Sequence, residues 1–158
     1  MSQEWPERVR RVAQRLVEAG IEPRITVLPS GAHTAAAAAA AVGVDVGAIA
    51  NSLVFWCDGE PLLVMTSGAH RVDTEALAAR LGRGPIRRAT PEQVREATGQ
   101  VIGGVAPTGH PAPLTTIVDR DLQRHPVLWA AAGTAESVFP LSFDELVRLT
   151  AGAVHPVD

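Results

Sequence analysis

The stretch I-A-N-S-L-V-F-W-C-D-G-E-P-L-L-V-M-T-S-G-A-H, residues 49–70, decides the fold. Residues 52–57 and 61–66 are apolar runs. Asp58-Gly59 between them is a dipeptide favoured in two-residue hairpin turns, whose central residues need positive φ. The stretch therefore predicts two antiparallel strands. It also opens on a polar pair, Asn51-Ser52, placed either as a turn or as the edge of a working site.

The flanks alternate short helices with short strands. Val9, Val12, Ala13, Leu16 and Val17 fall at helical spacing within residues 5–19, and Gly20 is placed to stop that helix. Residues 25–28 form a short strand candidate. Thr34 can cap an alanine-rich helix running to Val42 and ended by Gly43. Alanine has high helix propensity but little area to bury, so this helix should pack closely on a neighbour. Beyond the hairpin, Asp73 caps a helix through Leu81, and Thr90-Pro91-Glu92-Gln93 opens another through Ala97. Residues 114–118, 127–131 and 138–139 read as strands, with a helical turn over 119–124. Ser142 and Glu145 form a capping box for a helix to Leu149, and a weak strand follows at 153–157. The pattern predicts an α+β fold, one domain over residues 1–158, around a mixed or barrel-like sheet.

Composition excludes several kinds of chemistry. The 158 residues include one cysteine, Cys57, so neither an internal disulfide nor a cysteine-based zinc cluster can form. Cys57 lies in an apolar run and reads as a packed thiol. All 14 basic residues are arginines, which rules out Schiff-base lysine chemistry and a P-loop lysine. The five histidines show no i, i+4 pair, so no metal and no cofactor are expected. A net charge of -3 argues against broad nucleic-acid binding and leaves room for a local basic patch; DNA is not an expected partner. Arginines cluster at 8–15 and 80–88, each cluster either a solvated helix face or a phosphate site. No apolar run approaches the ~20 residues of a membrane span, and the opening residues carry charge where a leader would be apolar. A cytoplasmic location with no membrane partner is expected.

A second unusual stretch is V-I-G-G-V-A-P-T-G-H-P-A-P, residues 101–113. Its glycines permit close backbone approach and its prolines stiffen the loop, so main-chain groups can stay aimed at a polar ligand. A tight connection between elements would use the same residues.

Several segments in order, I-A-N-S-L-V-F, the D-G hairpin, T-S-G-A-H-R-V-D, A-T-P-E-Q-V-R-E-A-T-G, G-G-V-A-P-T-G-H and L-S-F-D-E-L-V-R-L-T-A-G, resemble the YbaK/ProX family of aminoacyl-tRNA editing domains, relatives of the insertion domain of bacterial prolyl-tRNA synthetase. The likeness covers residues 30–155, and residues 1–22, with the N-terminal helix, precede it. It implies a mixed, mainly antiparallel, partly closed β-barrel flanked by helices. It also implies a freestanding deacylase for mischarged tRNA, typically tRNA(Pro) carrying a small amino acid, with prolyl-tRNA synthetase as a further partner. The family's G-x-x-x-P loop maps to Gly103, Gly104, Val105, Ala106 and Pro107, whose backbone dipoles would position the ester and stabilise an oxyanion. A hydroxyl of the terminal ribose would help activate water.

Asn51 stands where many members carry a lysine thought to meet the tRNA's terminal phosphate. Asparagine can donate a hydrogen bond but not charge. Three outcomes stay open: an arginine such as Arg71 supplies the charge, tRNA binding is weaker, or the ligand differs. Two other readings follow, a noncatalytic binding module for aminoacyl-tRNA or an amino-acid ester, and hydrolysis of a small amino-acid ester unrelated to tRNA. Further substrate-binding candidates are Ser67-Gly68, as a ligand-facing strand end or a turn; His70, as a base or a surface group; His110, beside the Gly/Pro loop; and Asp119, as pocket wall or cap. Trp56 and Trp129 read as core. Ser52 has no His or Asp at a telling distance, so a serine triad is not expected.

Overall fold

The computed structural model describes residues 5–158. Of the charged opening stretch, residues 1–4 lie outside the described residues. Among the described residues five α-helices, α1 (Glu7–Glu18), α2 (Ala35–Val42), α3 (Thr74–Leu81), α4 (Pro91–Thr98) and α5 (Phe143–Thr150), surround one sheet. Its strands are β1 (Thr26–Val27), β2 (Ile49–Cys57), β3 (Glu60–Ser67), β4 (Ile86–Arg88), β5 (Thr115–Asp119), β6 (Leu128–Ala131), β7 (Ser137–Leu141) and β8 (Ala153–His155).

Local chemistry sets the element ends. Thr34 and Asp73 accept the N3 amides of α2 and α3, and Gly43 and Gly82 end those helices in the left-handed conformation that lacks a Cβ clash. Capping boxes Thr90–Gln93 and Ser142–Glu145 open α4 and α5. The hairpin is the centre of the sheet, with Asn51 opposite Thr66 and Cys57 opposite Glu60 across the Asp58-Gly59 turn. Both turn residues have positive φ, 54° and 78°.

The strand order is β1-β7-β6-β2-β3-β5-β8, with β4 paired to β2. The β2–β6, β3–β5 and β5–β8 ladders are parallel and the other four antiparallel. The sheet is mixed, as expected, but it stays open: β1 and β8 are its two ends and do not pair. Each is only two or three residues long. The strand β4, with the sequence Ile-Arg-Arg, has no sequence-level counterpart above.

Burial falls on both faces. Ala50, Val54, Leu63 and Met65 pack with Val12, Leu16, Val94 and Leu146 from α1, α4 and α5. Phe55, Cys57, Leu62 and Val64 pack with Leu77 of α3 on the opposite face. Cys57 is a packed thiol, its pKa pushed up by burial and by the neighbouring Asp58 carboxylate. Ala38 and Ala39 of the alanine helix lie against Ile49 and Val138, the close approach that small side chains permit. Among the described residues no helix is long and apolar enough to cross a membrane.

Candidate active site

The site arises from a gap in the sheet. On the side of β2 away from β3, strand β6 pairs only with Ile49 and Ala50, and β4 only with Phe55 to Cys57. Asn51, Ser52 and Leu53 therefore lie in an unpartnered part of the β2 edge, and all three line a cavity of about 280 Å³. Strand alternation fixes its floor. Ile49, Asn51, Leu53 and Phe55 share one face. Trp129 stands opposite Ile49, Val138 opposite Ala131, and Arg88 opposite Phe55, so these cross-strand neighbours face the same way. The walls are His33, Thr34 and Ala35 at the start of α2 and Ile102, Gly103 and Val105 of the Gly/Pro loop.

The cavity thus brings Asn51 together with Gly103 and Val105. The Asn51 carboxamide is half-buried and has no hydrogen-bond partner among the described residues. The cation at this site is Arg88 rather than Arg71, which is exposed and does not line the cavity. The Arg88 guanidinium lies 5.9 Å from the Phe55 ring centroid and meets no carboxylate at salt-bridge distance among the described residues. The lining contains no Asp or Glu. Trp129, expected in the core, is half-buried and forms part of the floor.

The loop is held from behind. Gly104 is buried against the 134–135 segment, and a Cβ on it would lie 2.5 Å from the Thr134 carbonyl carbon. Its N–H donates to the Val101 carbonyl at 3.0 Å. Gly103 has φ 91°, a conformation that favours glycine. Gln100, 1% exposed, accepts the Ala106 N–H at 2.7 Å and donates from Nε2 to the Thr108 carbonyl at 3.1 Å. His110 lies 2.8 Å from the Ala106 carbonyl through Nε2. A carbonyl only accepts, so Nε2 carries the proton. Burial lowers the His110 pKa, helped by the Arg15 charge and opposed by the bond to Ala106, which keeps the ring neutral near pH 7. Both polar groups of Ala106 are thus used internally, whereas the N–H groups of Gly103 and Val105 have no partner among the described residues. Pro107 and His110 line a separate hollow of about 210 Å³ with Arg15.

The remaining candidates gather elsewhere. Ser67 is buried; its hydroxyl donates to the Gly47 carbonyl at 2.9 Å and accepts the Ala69 N–H at 3.2 Å. Gly68 packs so tightly that a Cβ would come within 2.5 Å of the Val46 carbonyl oxygen. Asp119, 1% exposed, accepts the Ser67 N–H at 3.0 Å and caps the following 3-10 turn by accepting the Asp121 N–H at 3.0 Å. His70 bridges carboxylates, with Nδ1 2.8 Å from Asp119 and Nε2 3.2 Å from Asp121 and 3.6 Å from Asp158. Burial alone would lower its pKa, but the hydrogen bond to Asp119 and the three carboxylates outweigh it and raise it. Potential ligand atoms of His70, Asp119 and Asp121 lie within 4.8 Å of one another, a grouping that histidine spacing could not reveal. The two carboxylates flank opposite ring nitrogens, so one ion cannot replace both contacts without turning the ring. The geometry fits an imidazolium clamp that ties β3 to β5. None of Ser67, Gly68, His70, Asp119 or Arg71 lines the Asn51 cavity.

The comparisons with known proteins agree with the fold. Residues 29–149 match the model of the aminoacyl-tRNA editing domain, and the chain belongs to that family. A solved structure described as a proposed trans-editing enzyme for prolyl tRNA synthetase superimposes with a TM-score of 0.91 at 41% identity, covering 98% of each chain. The uncharacterized protein YwhH of Bacillus subtilis is 30% identical over 126 residues, 79% of this chain and 80% of that protein. A proline–tRNA ligase of Nitratidesulfovibrio vulgaris is 32% identical over 93 residues, 59% of this chain; the match spans 16% of the ligase.

Proposed function

We propose that the chain is a trans-acting deacylase that hydrolyses the ester of a mischarged tRNA, with tRNA(Pro) carrying a small amino acid as substrate. The observation that carries this reading is the convergence of Asn51, Arg88, Gly103 and Val105 on one cavity whose lining has no carboxylate. Water adds to the ester carbonyl carbon, and the carbonyl oxygen gains negative charge. The N–H groups of Gly103 and Val105, without partners among the described residues, are backbone donors for that oxygen, in a loop held by the packing of Gly104 and the Gln100 bond to Ala106. Collapse breaks the C–O bond to the terminal ribose, whose oxygen takes up the proton that the attacking water gives up, releasing the amino acid and a ribose hydroxyl. Cys57 is buried and does not line the cavity, and the Ser52 hydroxyl, which does, donates to Met65 Sδ at 3.2 Å with no histidine or carboxylate bonded to it among the described residues, so neither is set up as a nucleophile. Arg88 supplies the positive charge that Asn51 lacks, beside a substrate with a polyanionic backbone.

Purified protein incubated with a panel of mischarged tRNAs should release amino acid faster than buffer from at least one, with inhibition by uncharged tRNA. The substitution of Asn51 for the family's lysine favours a second reading, a binding module. It predicts saturable binding without turnover on every member of that panel.

A further inference from the structure

We propose that Gln100 is a positioning residue for this site, fixing the Val105 carbonyl as an acceptor for the α-ammonium group of the aminoacyl ester. The inference rests on the deacylase reading and deepens it. A trans peptide holds its C=O and N–H on opposite sides. The Ala106 N–H points to the buried Gln100 oxygen, so the carbonyl of the same peptide, that of Val105, points away from Gln100. Val105 lines the cavity, and its carbonyl accepts no hydrogen bond among the described residues. An α-ammonium entering a cavity without Asp or Glu must be met by neutral acceptors, and the Val105 carbonyl and Asn51 Oδ1 are two such acceptors on its lining residues, both without a hydrogen-bond partner among the described residues. Gln100 is suited to this because one carboxamide satisfies a donor and an acceptor of the same loop, Ala106 N–H and Thr108 C=O. His110 holds the next carbonyl, that of Ala106, and so fixes the loop on the other side of the same residue.

Gln100→Glu separates positioning from simple folding. A neutral Glu reproduces both bonds, its carbonyl accepting Ala106 N–H and its O–H donating to Thr108. An ionised Glu faces the Thr108 carbonyl with an acceptor. Its kcat/KM relative to wild type at each pH should approach unity at low pH and fall about tenfold or more as the carboxyl ionises, the scale of a lost hydrogen bond to a charged group. Amide exchange at Ala106 should quicken over the same range. Gln100→Leu, if folded, should be low throughout; if it does not fold, the Gln100→Glu profile decides.

A second measurement is independent of turnover. Amide-linked aminoacyl-adenosine should bind wild type about tenfold or more tightly than the same compound lacking the α-amino group, and both Gln100 variants should lose that preference. A Gln100→Glu profile parallel to wild type overturns the positioning role while leaving the deacylase reading intact. Wild type that hydrolyses nothing, yet shows the ammonium preference and loses it in the variants, overturns the deacylase reading and supports the positioning role. Wild type with no preference overturns the ammonium site.

Discussion

Arg88 and Asn51 share one face of the sheet, although 37 residues separate them in sequence. Arg88 stands opposite Phe55 in the β2–β4 ladder, and Asn51 lies an even number of residues before Phe55 on β2. Between them lies the stretch of β2 that, among the described residues, neither β4 nor β6 covers.

Arg88 should therefore carry phosphate attraction that Arg71 does not. Arg88→Ala should weaken tRNA binding and reduce the salt slope of log K by about 0.7, the contribution of one single-strand phosphate. Arg71→Ala should leave the slope unchanged. Asn51→Lys should raise affinity and steepen the slope by a similar amount, whereas Asn51→Ala should lower affinity by about 1 kcal/mol. Titrations at several salt concentrations give all four values.

The packing at Gly104 should make it intolerant of any side chain. A Cβ there meets the Thr134 and Ala135 backbone, which cannot swing aside as a side chain could. Gly104→Val should cost about 1–3 kcal/mol in urea unfolding, the usual range for overpacking, and should lose deacylation beyond that stability change. Gly103 has open space for a Cβ but a φ of 91°, so Gly103→Ala should lose about 1–2 kcal/mol through backbone strain.

The His70 clamp should give stability a definite pH dependence. Its pKa is raised on folding above the usual 6.5, so the folded state holds the proton more tightly than the unfolded chain. That contribution is fully present below about pH 6.5 and is lost as pH rises through the folded-state value. Thermal unfolding of wild type and His70→Gln from pH 5 to 9 should show the difference between them shrinking upward through that window. Asp119→Ala removes the partner of His70 and of two backbone amides, and should cost about 3 kcal/mol or more.

Local signals made most of the fold legible. Thr34, Asp73, Thr90, Ser142 and the Asp58-Gly59 turn each set their element through bonds to residues one to three positions away. Strand β4 was not legible, because Ile86-Arg87-Arg88 has neither alternation nor apolar character and is held by pairing to β2, about 30 residues earlier. The parallel ladders and the open edges depend likewise on partners distant in sequence. At the site, Asn51 and the Gly/Pro loop stood out by composition and share a cavity. Arg88 lay unremarked within an arginine cluster. Gln100 gave no signal, since a lone glutamine before a glycine-rich loop acquires meaning only when its carboxamide is seen closing on Ala106 and Thr108. Conversely, Ser67, His70 and Asp119 carried the right chemistry at a strand end, but their polar groups are engaged with one another and with nearby backbone.

The most direct test is single-turnover hydrolysis of tRNA(Pro) charged with alanine or cysteine, measured with excess purified protein against buffer alone. Amino acid should be released faster than in buffer for at least one of these esters, with correctly charged prolyl-tRNA(Pro) spared. Release at the buffer rate from both mischarged tRNAs, by protein shown to be folded and to bind them, would contradict a deacylase.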